Sequence, residues 1–113
     1  MIEDPSGTVK RYRVVVEDNG GYFIYNDGSV AMVMVTFPPG TVTKWHTHEE
    51  HEYGICLDGK WSAIVELRDG QRRRFMAGRG EIIYFEPEQR HETSSKDGAR
   101  VLFTTVKPEM NRA

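Results

Sequence analysis

Cysteine is almost absent from this sequence. The 113 residues contain one, Cys56, so no disulfide can form within the chain. Because chains without internal disulfides are typical of reducing compartments, we predict a cytoplasmic location. No apolar run approaches the roughly 20 residues that a membrane-spanning helix requires. The acidic beginning, Met1-Ile2-Glu3-Asp4-Pro5, does not resemble a secretory signal. We therefore expect no membrane association.

A strong excess of charge is also missing. The chain has 15 basic and 17 acidic residues, for a formal net charge of −2. The short basic run Arg72-Arg73-Arg74 lies in a strand-like segment with acidic residues nearby, so we expect a solvated strand or a charged dimer edge there. Nothing in this balance predicts nucleic-acid binding. The length, without linker or repeat, predicts one domain over residues 1–113.

Helical periodicity is absent as well, and short apolar, β-branched runs alternate with turn residues. Asp69-Gly70 is the clearest signal for a two-residue hairpin turn, and Asp58-Gly59 also has the composition of a turn. Many short strands at even spacing predict an all-β sandwich or barrel. The predicted strands are Tyr12–Val16, Tyr22–Tyr25, Val30–Phe37, Tyr53–Leu57, Trp61–Leu67, Arg73–Met76, Glu81–Phe85 and Val101–Val106.

One strand has two apolar faces. The sequence Val30-Ala31-Met32-Val33-Met34-Val35 offers no polar side to solvent. Since such a strand must be covered on both sides, one face is expected to line the interior and the other to meet a partner subunit. We predict a homodimer.

Candidate metal ligands are concentrated in the segment His46-Thr47-His48-Glu49-Glu50-His51-Glu52. Alternate residues of an extended strand share a face, so His46 and His48 can point to the same side. Two imidazoles with a carboxylate nearby suit a divalent first-row metal. A further ligand must come from elsewhere, and His91 is the one histidine outside this segment.

With spacings included, the first motif is Gly40-x5-His46-x-His48-x3-Glu52-x6-Gly59. It resembles the first motif of the cupin superfamily at every defining position. The family's second motif, Gly-x5-Pro-x-Gly-x2-His-x3-Asn, is similar to the segment that begins at Gly80, where His91 has the expected distance. This segment departs from the pattern at three positions, which are Glu86 for proline, Glu88 for glycine and Ser95 for asparagine.

The resemblance implies a single-domain jelly-roll β-barrel, also called a double-stranded β-helix, with metal-binding motifs at residues 40–59 and 80–95. It further implies one divalent transition metal, held inside the barrel by His46, His48, Glu52 and His91. This ligand set leaves two octahedral positions for water or substrate, and Fe, Mn, Ni, Co or Zn would all suit it.

Three functions follow from such a site. The first is a metal-dependent enzyme on a small organic substrate, either a dioxygenase-like enzyme on Fe(II) or an isomerase, cyclase or lyase that uses the metal as a Lewis acid. For an isomerase, cyclase or lyase the expected base is Glu52 or His51, although a solvent-facing His51 is the simpler interpretation. The alternatives are a metal-dependent sensor or small-ligand binding module, and a scaffold with a structural metal.

Overall fold

The computed structural model describes residues 21–108, and its regular structure consists of antiparallel β-strands. Among these residues no helix is long and apolar enough to cross a membrane. The predicted strand Tyr12–Val16 lies outside the described residues. The strands are β1 (Gly21–Asn26), β2 (Val30–Phe37), β3 (Thr41–Val42), β4 (His51–Glu66), β5 (Arg72–Gly78), β6 (Ile82–Phe85), β7 (His91–Ser95) and β8 (Ala99–Val106).

Two curled sheets share the long strand β4. The first sheet has the order β1-β2-β8-β4-β6 and uses the beginning of β4. The second sheet has the order β3-β7-β4-β5 and uses the end of β4. Because each sheet presents apolar side chains to the other, the core lies between them. The predicted all-β jelly-roll is confirmed.

The continuity of β4 corrects one prediction. Asp58-Gly59 was expected to be a turn between two strands, but the chain runs straight on from His51 to Glu66. The register with β8 shifts between Cys56 and Asp58, and Gly59 has a φ of 77°. Such an irregularity is a β-bulge, which bends a strand without reversing it. The bulge therefore lets one strand pass from the first sheet to the second.

The hairpin predicted at Asp69-Gly70 is present between β4 and β5. Its loop has one residue more than expected, because the Gly70 N–H donates to the carbonyl of Leu67 and the Leu67 N–H to that of Gln71. Gly70 has a φ of 85°, the left-handed conformation that ends a three-residue loop of this kind.

The core at the closed end of the barrel is built around Trp61. This side chain is 1% exposed, and its ring makes edge contacts with Phe85 at 6.3 Å and Phe103 at 5.3 Å between centroids. Cys56 and Val101, which face each other across β4 and β8, are fully buried beside it. This packed end forms the floor beneath the mouth of the barrel.

The outer face of the first sheet is apolar across four strands. Met34, Leu102, Ile55 and Ile82 are neighbours in consecutive strands, as the register of β2, β8, β4 and β6 shows. Ile82 is 58% exposed. The homodimer stays a prediction for which this face offers a surface, and a solution mass of twice 13.0 kDa by light scattering would bear it out.

Candidate metal centre

Three histidines from separate parts of the sequence meet at the mouth of the barrel. His46 lies in an extended segment after β3, His48 follows it, and His91 begins β7. His46 and His91 are held together by two backbone hydrogen bonds, of 3.1 and 3.0 Å. One ring nitrogen from each of the three lies within 4.8 Å of the others. His46 and His48 thus share a side as expected, although their segment is not a regular strand.

Backbone carbonyls orient all three rings. The Nδ1 atom lies 2.7 Å from the carbonyl oxygen of Lys44 in His46, 3.2 Å from that of Glu50 in His48, and 2.9 Å from that of Gln89 in His91. Since a carbonyl oxygen only accepts, each Nδ1 carries the hydrogen. In the neutral ring each Nε2 then presents a lone pair.

The Glu52 carboxylate lies beside two of these lone pairs. Its Oε1 is 3.3 Å from Nε2 of His48 and 3.4 Å from Nε2 of His91. Both Nε2 atoms are buried without a hydrogen-bond partner among the described residues. Burial alone would raise the pKa of the Glu52 carboxyl, but the hydrogen bonds and positive charge that His91 and His48 supply when protonated outweigh it and hold this pKa below its usual value.

The donor set fits a cation. When the imidazoles are neutral, their nitrogen lone pairs and a carboxylate oxygen at these distances repel one another unless a cation, either a proton or a metal ion, lies between them. Neutral imidazoles whose other nitrogen is fixed by a hydrogen bond are the usual form of histidine ligands. The three histidines therefore form a site that can hold a divalent metal ion, with Glu52 in reach of it.

Phe85 and His91 stack at the back of this site. Their ring centroids are 3.9 Å apart with an interplanar angle of 12°, and both side chains are fully buried. The stack fixes the plane of the His91 ring. The hydrogen bond to the Gln89 carbonyl fixes which edge of the ring carries Nδ1. The sequence carries no signal for these two contacts, because they depend on the pairing of β4 with β6 and β7.

His51 faces away from the cluster. It precedes Glu52 in β4, so its side chain points to the opposite face of the strand. There its Nδ1 lies 2.5 Å from the Tyr84 hydroxyl, and the two rings stack with centroids 5.9 Å apart. The structure thus places the two predicted catalytic residues on different sides of the first sheet.

A tight turn at Glu86–Gln89 is hydrogen-bonded to the backbone of His48. The Gln89 N–H donates to the Glu86 carbonyl over 3.1 Å, with Pro87 and Glu88 between them. Glu88 has a φ of 65°, and its N–H donates to the His48 carbonyl over 2.8 Å. Proline followed by a residue of positive φ is the pattern of a type II turn. Such a turn favours glycine at the third of its four positions, which is the position of Glu88. The turn keeps this conformation although glutamate replaces the glycine.

Replacing Glu88 by glycine is therefore expected to stabilise the protein. Removing the strain of a left-handed non-glycine residue gains about 1–2 kcal/mol, and the greater freedom of the unfolded chain offsets part of it. We expect a net gain of about 0.5–1 kcal/mol and a Tm a few degrees higher, measured by thermal unfolding. Glu49→Gly is the matched control, because Glu49 is exposed without a positive φ. A Tm that rises equally in both variants would contradict this explanation.

Comparison with known proteins supports the architecture. The family model described as Cupin domain matches residues 33–107, which is more than half of the chain. No curated protein matches the chain. Among solved structures, a protein of unknown function from Streptococcus pyogenes is 13% identical with a TM-score of 0.71, and the alignment covers 90% of this chain and 93% of that one.

Two further structures are similar. A cupin-2 domain containing protein from Shewanella frigidimarina is 15% identical with a TM-score of 0.66, covering 81% of this chain and 85% of that one. Oxalate decarboxylase from Bacillus subtilis, which has Mn(II) centres, is 21% identical with a TM-score of 0.67. That alignment covers 74% of this chain and 22% of the decarboxylase, so this chain spans about a fifth of its length. At these identities the likeness shows the fold.

Proposed function

Because this chain belongs to the cupin superfamily, we propose that it is a metal-dependent enzyme that acts on a small organic substrate. The observation that carries the proposal is the convergence of three histidine Nε2 atoms whose Nδ1 atoms are all held by backbone carbonyls. A structural metal is usually enclosed by its ligands. His46 is instead exposed, so the site is open on one side to solvent and to small molecules.

His46, His48 and His91 would hold the metal, and Glu52 would complete the set. When bound, the metal would supply Lewis acidity toward a carbonyl oxygen or, as Fe(II), oxygen activation. Fe, Mn, Ni, Co and Zn all suit these ligands, and the Mn(II) centres of the similar decarboxylase support including manganese. In the non-oxidative branch, Glu52 is the proposed base, since it is the carboxylate that lies at the site.

The first experiment is a measurement of metal content by mass spectrometry, on protein purified without chelators or oxygen. Near-stoichiometric iron, lost in His48→Ala, would favour oxygenase chemistry. Zinc, nickel, cobalt or manganese would favour isomerase, cyclase or lyase chemistry. A wild-type protein without metal would overturn the proposal.

Glu52→Gln separates the role of a base from that of a ligand. The amide keeps the size of the side chain and an oxygen donor but has no proton affinity at neutral pH. We expect this variant to keep most of its metal while losing turnover by roughly a hundredfold or more. Turnover at the wild-type rate would exclude Glu52 as the base.

A metal-dependent binding module, the second candidate, would bind a ligand without converting it.

A further inference from the structure

The register of the first sheet places a row of side chains beside Glu52. Thr105 of β8 lies directly opposite Glu52, Ala31 of β2 opposite Thr105, and Asn26 of β1 opposite Ala31. Residues directly opposite in antiparallel strands share a face and lie about 5 Å apart. Thr105 and Ala31 therefore face the barrel interior beside the candidate metal centre, at successive steps away from it.

The interior beneath this row is filled. Gly54, the next inward-facing residue of β4 after Glu52, lies against the Trp61 ring: a Cβ atom there would come within 2.7 Å of Trp61 and 3.0 Å of Phe103. The interior is therefore occupied by aromatic side chains one step below Glu52. A molecule that reaches the site over Thr105 would lie along the mouth, beside the row.

A cavity of about 320 Å³ occupies this lateral position. Its wall includes Ala31 and Thr105 from the row, and its volume suits a small metabolite. The side chain of Ala31 is small, so it takes up little of the space in this part of the cavity. The polar residues that line it are Asn26, Ser29, Glu50, Thr105 and Lys107.

Lys107 brings a positive charge to the rim of this cavity. Its N–H donates to the Ser29 carbonyl over 2.9 Å, which continues the pairing of β8 with β2 by one step. Its side chain therefore shares the inner face with Thr105. No carboxylate among residues 21–108 lies within 4 Å of its ammonium group. Glu50 precedes His51, which pairs with Val106, so it lies near Lys107 in the same cavity and offers hydrogen-bond acceptors there.

We propose that this cavity binds a small hydroxycarboxylic acid, with its carboxylate at Lys107 and its hydroxyl groups toward Glu50, Asn26 and Thr105. The inference rests on the proposed function, because Thr105, which lines the cavity, lies directly opposite Glu52 of the candidate metal centre. The Lys107 ammonium, which is exposed at the rim, favours an anionic group, and the Glu50 carboxylate favours a hydrogen-bond donor. The charge and the hydroxyl groups together define the substrate class.

The test is isothermal titration of Mn(II)-loaded protein with malate, tartrate and gluconate, and with the neutral diamide of malate. We expect at least one acid to bind, malate to bind more tightly than its diamide, and Lys107→Met to weaken acid binding about tenfold, as loss of a charge-assisted hydrogen bond predicts. Lys60→Met is the matched control, since Lys60 is exposed on β4 where this strand belongs to the second sheet. It should leave the affinity unchanged.

Metal affinity, titrated separately with Mn(II) alone, should be equal in wild-type protein and in Lys107→Met. If the wild type binds no metal, the proposed function fails, and this inference fails with it. If metal binds but no acid does, or the diamide binds as tightly as malate, or Lys107→Met keeps full acid affinity, the inference alone is overturned.

Discussion

Replacing His91 by alanine is expected to lower the affinity for a divalent metal ion by at least about a hundredfold. His91 is fully buried, and among the described residues its Nε2 has no hydrogen-bond partner, so its lone pair is available to a metal ion. Loss of a group that merely orients a metal ligand already costs roughly 10–100-fold, so loss of the ligand itself should cost no less. Competition with a chromophoric chelator measures this affinity directly.

The same substitution removes the ring that stacks on Phe85, so its effect on folding must be separated from its effect on the metal. Thermal unfolding with and without metal does this. Metal at about 100 times its Kd should stabilise the wild type by roughly 2.7 kcal/mol. At the same metal concentration the increase should fall to about 0.4 kcal/mol or less in His91→Ala, whatever its stability in a chelator. His51→Ala is the control, because His51 faces away from the cluster, and it should keep the full increase. An increase of wild-type size in His91→Ala would contradict the assignment.

Gly59→Ala is expected to destabilise the protein by about 3 kcal/mol or more. Gly59 has a φ of 77°, where any other residue costs about 1–2 kcal/mol. A Cβ atom there would also come within 2.2 Å of the Gly98 carbonyl oxygen and 3.0 Å of the Ala99 Cα. Both neighbours are backbone atoms of the chain entering β8, so they cannot turn aside as a side chain can. Urea unfolding monitored by tryptophan fluorescence gives the difference.

Gly70→Ala separates the two contributions. Gly70 has a φ of 85°, but a Cβ atom there would meet nothing within 4 Å. This variant should therefore lose about 1 kcal/mol, from backbone strain alone. Equal losses in the two variants would show that the close approach of β4 to the Gly98 carbonyl contributes nothing.

The sequence predicted well those strands that alternate apolar residues between turns. The predicted bounds of β2, Val30–Phe37, are those of the structure. The turn predicted at Asp58-Gly59 was wrong, because glycine with a positive φ occurs both in a reversing turn and in a bulge of a continuous strand. Local composition does not distinguish the two, since the difference depends on whether distant strands pair on both sides of the glycine.

Strand β7 escaped prediction for a different reason. Its sequence, His91-Glu92-Thr93-Ser94-Ser95, is polar throughout, yet Thr93 and Ser95 face the interior. Their hydroxyl groups are satisfied there by Thr43 at 2.7 Å and the Lys60 carbonyl at 2.6 Å. Hydrogen bonds to distant residues therefore make these positions suitable for the interior, and hydrophobic periodicity cannot reveal them.

At the metal centre, spacing alone singled out the residues that the structure brings together. What the spacing could not supply was their surroundings. The carbonyls that orient the rings belong to Lys44, Glu50 and Gln89, and every residue has a carbonyl. Thr105 becomes a neighbour of Glu52 through the register of β8 against β4, which the sequence does not display. The candidate ligands thus followed from local pattern, and the cavity beside them from tertiary pairing.

Strand β8 is inserted between β2 and β4 and pairs with both, although it is the last of the described strands along the chain. As the chain leaves the ribosome, β2 and the beginning of β4 therefore each have one unpaired edge. They cannot pair with each other, because β8 lies between them in the sheet. Unpaired edges beside apolar faces favour aggregation. Completion of the first sheet must wait until β8 has been synthesised, and the interval between the synthesis of β2 and that of β8 is when a chaperone would be needed.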